Sequence, residues 1–155
     1  MHIALFIGRT NCMCDAEKII DYFFNQYSIE ELYALCPSHM LWEAIKEEDA
    51  VMLTYSQVLD LIQNTSSVFL FAEPLPALYA GKSVPCKDIP GKEFEKNIVT
   101  WEAGRTEPLY ILNTDFTWMI ALTAENDSIG EEVCALLESQ SPGDAERIAP
   151  PKAAF

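Results

Sequence analysis

Leu109-Tyr-Ile-Leu-Asn-Thr-Asp-Phe-Thr-Trp-Met-Ile-Ala-Leu-Thr123 is the stretch on which the fold turns. Two runs of aliphatic and aromatic residues flank Asn113-Thr-Asp115, and polar, turn-favouring residues between two such runs spell a β-hairpin. Alternation along the second run puts Phe116, Trp118, Ile120 and Leu122 on one face and Thr117, Met119, Ala121 and Thr123 on the other. This strand is expected to be central.

On the C-terminal side, Asn126-Asp-Ser128 breaks the strand. Ser128 and Glu131 have the spacing of a capping box, and Ile129, Val133, Leu136 and Leu137 follow at helical intervals, so a helix is predicted over 129–140, stopped by Pro142-Gly143. The alanines and prolines of 144–155 read as an extended or disordered tail. On the N-terminal side, Pro74, Pro76, Pro85 and Pro90 with Gly81 and Gly91 read as a loop over 74–91. Val68-Phe-Leu-Phe71 is a short apolar run of the kind found in strands covered on both faces.

Ser56 is the expected cap for a helix carrying Val58, Leu59, Leu61 and Ile62, preceded by a strand at Val51-Met-Leu-Thr-Tyr55. Met40 to Ala50 reads as more helical than extended. Ser28 with Glu31 forms a second capping box, opening a short helix that Pro37 halts. Ile19, Ile20, Phe23, Phe24 and Tyr27 share one face of a helix that Asp15 or Asn11 would cap, and His2 to Ile7 is a short β-type run. The expected fold is a single α+β domain over 1–143. Its mainly antiparallel or mixed sheet, from strands near 2–7, 51–55, 68–72, 109–113 and 116–124, packs against three or more helices, including 15–26, 56–64 and 129–140. The strand–helix alternation of the first half leaves an α/β arrangement open.

The chain has 155 residues, half of them hydrophobic, enough for one domain with its own core. It carries 24 Asp and Glu against 10 Lys and Arg, a formal net charge of −14. Such a field repels phosphate, so nucleic acid and anionic membranes are disfavoured as partners and a basic protein is favoured. Met1 to Ile7 lacks the features of a signal peptide, and no later run approaches the length of a transmembrane span. The expected location is the cytoplasm, with the five cysteines, Cys12, Cys14, Cys36, Cys86 and Cys134, as reduced thiols.

No Gly-x-Ser-x-Gly, His-Glu-x-x-His, Walker loop or Gly-x-Gly-x-x-Gly is present, and His2 and His39 are the only histidines. No catalytic residue is assigned, and the balance leans against an enzyme. Adjacent carboxylates such as Glu47, Glu48 and Asp49 point in different directions on a helix and read as a solvated face. Cys12-x-Cys14 and Cys36-x-x-His39 are two short-spaced ligand pairs, the arrangement by which two loops hold a structural zinc. They make a small zinc-binding or thiol-dependent protein the alternative reading. Otherwise no cofactor is expected. Candidate partner-binding residues are Trp101, beside Lys96, Glu102 and Arg105, Asp115 of the hairpin turn, and the acidic group Glu125, Asp127, Glu131 and Glu132.

Leu109 to Glu125 resembles the terminal hairpin of small acidic bacterial proteins of immunity type, in which an aromatic strand, a polar turn and a Phe/Leu-Ser/Thr-Trp strand precede an acidic stretch. The resemblance marks Asp115 and Trp118 as hairpin positions. It implies an acidic, cytoplasmic, non-enzymatic immunity protein or antitoxin that neutralises a basic toxin passed between competing bacteria.

Overall fold

A computed structural model describes residues 12–95 and 107–139. Seven strands, β1 (Cys12–Cys14), β2 (Ala50–Leu53), β3 (Ser67–Phe71), β4 (Val84–Pro90), β5 (Leu109–Asn113), β6 (Trp118–Asn126) and β7 (Glu132–Glu138), form one sheet in the order β1-β4-β3-β5-β6-β7-β2. Every pairing is antiparallel. The described helices are four and short: α1 (Ala16–Phe23), α2 (Ile29–Ala34), α3 (Tyr55–Gln63) and α4 (Leu75–Tyr79). The expected α+β sheet packed against three or more helices, and the α/β alternative, therefore give way to a more β-rich architecture. The expected strand at 2–7, the domain boundary at 143 and the tail at 144–155 lie outside the described residues.

Period-2 alternation divides the core in two. Phe71, Tyr110, Leu112, Met119 and Ala121 face Ile19, Phe23, Leu32, Leu41 and Leu75 from α1, α2, α4 and the 3-10 turn Leu41–Ala44. Val68, Leu70, Ile111, Ile120 and Leu122 face Val58 and Ile62 of α3, and Phe94. Strand β5, fourth of the seven, is buried on both faces from Leu109 to Leu112, which accounts for its unbroken apolar run.

The largest correction is at the C-terminal end, where the predicted helix 129–140 is strand β7. The Ser128/Glu131 spacing is not a capping box. Instead the Asp127 carboxylate accepts hydrogen bonds from the backbone N–H of Ile129 (2.9 Å) and Glu131 (3.0 Å), while Gly130 takes a left-handed φ of 87°. That turn folds the chain back on β6, and Val133-Cys-Ala-Leu-Leu137 then pairs with β6 on one side and β2 on the other. A run this short fits either period, and two waiting strand edges decide it.

The loop predicted over 74–91 contains α4 and β4. Proline is tolerated in β4 because the strand changes partner along its length: among the described residues Val84, Pro85 and Cys86 pair only with β1, and Lys87 to Pro90 only with β3. Neither Pro85 nor Pro90 is asked for ladder hydrogen bonds on two sides. Met40 to Ala50 forms two 3-10 turns, Leu41–Ala44 and Glu47–Asp49, rather than a helix. Thr54, not Ser56, caps α3, in a capping box with Gln57. Ser28 and Glu31 form the expected box, and Asp15 caps α1. Phe116 leaves the Trp118 face: it sits in the β5–β6 turn with φ 61°, packing edge-on against Tyr22 with the Lys18 ammonium 4.5 Å from its ring.

Candidate functional site

The residues singled out for metal or thiol chemistry are dispersed in role. Cys12 lies opposite Cys86 in the β1–β4 register, with Cα atoms 5.5 Å apart, and the two form a disulfide, so the expectation of five reduced thiols fails for this pair. Cys14, Cys36 and Cys134 are buried and outside any disulfide. Burial, reinforced by Asp88, pushes the Cys14 thiol up to about 12. Burial, reinforced by Glu43 and Glu73, pushes Cys36 up to about 11. Thiols held protonated are the reverse of activated nucleophiles. His39 is exposed, takes φ 61° and stacks against Tyr33 at 5.1 Å. Among the described residues no group of three or more His, Cys, Asp or Glu is placed to hold a metal ion.

These assignments give a direct check. Alkylation of the native protein without reductant is expected to leave all five cysteines unlabelled or slow to label. Denaturation alone should release three, and reduction with denaturation all five, read by mass spectrometry. Five labels after denaturation alone would refute the Cys12–Cys86 bond.

One titratable group is partly buried in a way the sequence did not signal. Glu73, just before α4, accepts hydrogen bonds from the Tyr110 hydroxyl (2.7 Å) on Oε1 and from the backbone N–H of Leu41 (3.0 Å) and Leu75 (2.9 Å) on Oε2. Tyr110 in turn accepts from the Trp42 N–H at 3.1 Å. Burial raises the Glu73 pKa above its ordinary 4.5, opposed by the Tyr110 hydrogen bond and the two backbone donors. Tyr110 is held well above its ordinary value by burial and by Glu73, and stays protonated.

Glu73 also lines a shallow cleft of about 230 Å³ with Pro74, Ala77, Val84 and Pro85. A carboxyl of raised pKa beside a cleft is how an acid–base residue presents itself. Here, however, both carboxylate oxygens are committed to Tyr110 and to the first N–H groups of two helical segments. Glu73 acts as a pin, fastening the 41–44 turn and α4 to the central strand.

The predicted partner-binding residues fall into two groups. Asp115 holds the β5–β6 turn, accepting from the Thr117 N–H (3.2 Å) and hydroxyl (2.8 Å). Glu125, Asp127, Glu131 and Glu132 lie at the opposite end of the nine-residue strand β6, about 30 Å away, so Asp115 does not join them. At that far end Ala124 takes φ 65° at a bulge between Leu122 and Asn126, and its N–H donates to the Glu132 carboxylate at 2.8 Å. Buried Thr123 donates to the Val133 carbonyl (2.8 Å) and accepts from the Glu125 N–H (3.2 Å). Asp127 and Glu132 are thus pinned by backbone donors; Glu125, Asp127 and Glu131 are exposed and Glu132 is half-buried. Trp101 lies outside the described residues.

Glu131 and Glu132 also border a hollow of about 430 Å³ shared with Thr54, Tyr55 and Ser56. Beside it runs strand β2, where Val51 and Met52 are 51% and 48% exposed. Sequence reading placed a strand there but not at an edge. Among the described residues no helix is long and apolar enough to cross a membrane. No protein-family model, curated protein or solved structure matches the chain.

Proposed function

We propose that this protein is a non-enzymatic binding protein of the immunity or antitoxin kind, whose carboxylates cover the cationic site of a basic protein such as a nuclease toxin. The observation that carries this reading is the β6–β7 hairpin end, where Glu125, Asp127, Glu131 and Glu132 stand on one turn fixed by Asp127, Glu132 and the Thr123 hydrogen bonds. Carboxylates held in place before a partner arrives lose less entropy on binding than those on a mobile loop. The lysines among the described residues lie on other elements: Lys18 on α1, Lys46 near Tyr27, and Lys82, Lys87 and Lys92 around β4. The net charge of −14 adds long-range steering toward a cation and opposes nucleic acid. Cytoplasmic residence belongs to this proposal only through the immunity-type resemblance, since the Cys12–Cys86 bond removes the argument from reduced thiols.

Stopped-flow association with basic nuclease domains checks the reading. The association rate is expected to fall about 10-fold or more between 50 and 500 mM salt. Replacing exposed Glu125 and Glu131 by Gln should slow association and flatten that dependence. Binding that ignores salt, or no binding across the set of cationic proteins, would remove the proposal.

A further inference from the structure

Strand β2 is an edge of the sheet, hydrogen-bonded to β7 alone among the described residues. Its sequence, Ala-Val-Met-Leu, contains none of the devices that usually blunt an edge, neither charge nor proline. Register with β7 puts Val51 beside Leu136 and Met52 beside Ala135, on opposite faces of the sheet, and both side chains are about half exposed. Ala50 and Leu53 pack against the two cores, so the strand is open at its middle, on either face at Val51 and Met52, and, among the described residues, along its outer backbone. Exposed carboxylates bracket it. Glu47, Glu48 and Asp49 lead into its first residue, and Glu131 stands across the hollow from Thr54 to Ser56 at its other end. The pattern along the edge is acid, four apolar residues spanning about 13 Å, acid.

We infer that β2 is the docking edge for an extended segment of a basic partner, which adds to the sheet as an eighth strand with apolar side chains against Val51 and Met52 and Lys or Arg at both ends. This rests on the reading of the protein as a binder of basic proteins and gives that reading a site. Strand addition draws affinity from backbone hydrogen bonds and specificity from alternate side chains and flanking charge. A second copy of this chain is the wrong occupant. Antiparallel pairing of two β2 edges sets the Glu47–Asp49 turn of one copy against the Glu131 end of the other, and parallel pairing sets the turn against itself; either way carboxylates meet carboxylates.

The test uses the full chain with two synthetic peptides of equal charge: Lys-Lys-Val-Thr-Val-Thr-Val-Lys-Lys, and the same peptide with its central Val replaced by Pro. Amide hydrogen exchange is followed at 50–53 at low salt. The first peptide is expected to slow exchange there about 10-fold or more, the second to leave it unchanged. Met52→Lys, an exposed substitution expected to keep the fold as judged by circular dichroism and melting, should abolish that protection. Equal binding of both peptides without protection of 50–53 would overturn the strand-addition site while leaving the charge-driven reading in place. Absence of binding by either peptide would overturn the site, and the salt series with whole basic proteins would then decide the broader reading separately. Slow exchange in the free monomer at those amides of 50–53 that point away from β7 would also overturn it, because the edge would already be covered.

Discussion

Gly91→Ala is expected to cost about 3 kcal/mol, the upper end of what overpacking usually costs. Gly91 is buried where β4 enters the 3-10 turn Gly91–Glu93, and its N–H donates to the Ser66 carbonyl at 3.1 Å. A Cβ there would run into the carbonyl oxygens of Thr65 and Ile62. Both are backbone atoms at the end of α3, and neither is free to yield. The Thr65 N–H is bonded to the Ile62 carbonyl (2.9 Å), the Thr65 hydroxyl to the Leu61 carbonyl (2.9 Å), and the Asn64 side chain to the Asp60 carbonyl (2.8 Å). Accommodating one methyl group therefore means lifting α3 from the sheet face where Val58 and Ile62 are fully buried. Gly130→Ala is the control. Nothing lies within 4 Å of its Cβ position, so only the left-handed backbone penalty of about 1–2 kcal/mol applies. Urea unfolding of the two variants should separate them, and equal midpoints would contradict the close approach at Gly91.

Tyr110→Phe is expected to cost a further large amount, about 2–3 kcal/mol, because one fully buried hydroxyl satisfies two partly buried partners. Its loss strips Glu73 Oε1 of a donor and leaves the Trp42 N–H without an acceptor. Stability should also acquire a distinctive pH dependence. Because burial raises the Glu73 pKa in the folded state, the folded protein holds a proton there that the unfolded chain has already released. Stability from this group is therefore full below the ordinary value of 4.5, falls as pH rises, and levels off above the raised value. The stability difference between wild type and Glu73→Gln should narrow over that window. In Tyr110→Phe, where the hydrogen bond that lowers the Glu73 pKa is gone, the window should extend to higher pH. Urea titrations at a series of pH values measure both. A wild-type minus Glu73→Gln difference that stays flat through the window would show that Glu73 is not buried as described.

The hairpin at 109–123 was readable because its signal is local: two runs with opposing faces and a turn whose side chains close on their own backbone. The caps at Asp15 and Ser28 were readable for the same reason, a side chain bonding to an N–H two or three residues away. The acidic excess of the chain follows from counting, and the proposal of a basic partner starts from it.

What failed to read was whatever depends on distant residues. Val133 to Leu137 has no period of its own strong enough to choose, and it became a strand because β6 and β2 each offered an open edge. Pro85 and Pro90 spoke for a loop until the change of partner along β4 made them harmless. Cys12 and Cys86, 74 residues apart, meet only because β1 lies antiparallel to β4. Glu73 carried no signal in the sequence and Tyr110 read only as a strand aromatic; they become a hydrogen-bonded pair where α4 and the 41–44 turn close over β5. The sequence by itself determined the charge, the local turns and the apolar faces, since each is carried by neighbours in the chain. Only the tertiary structure decided which strand edges are filled and which, at β2, stays open among the described residues, because a hydrogen-bonding edge is satisfied by whatever the rest of the fold brings beside it.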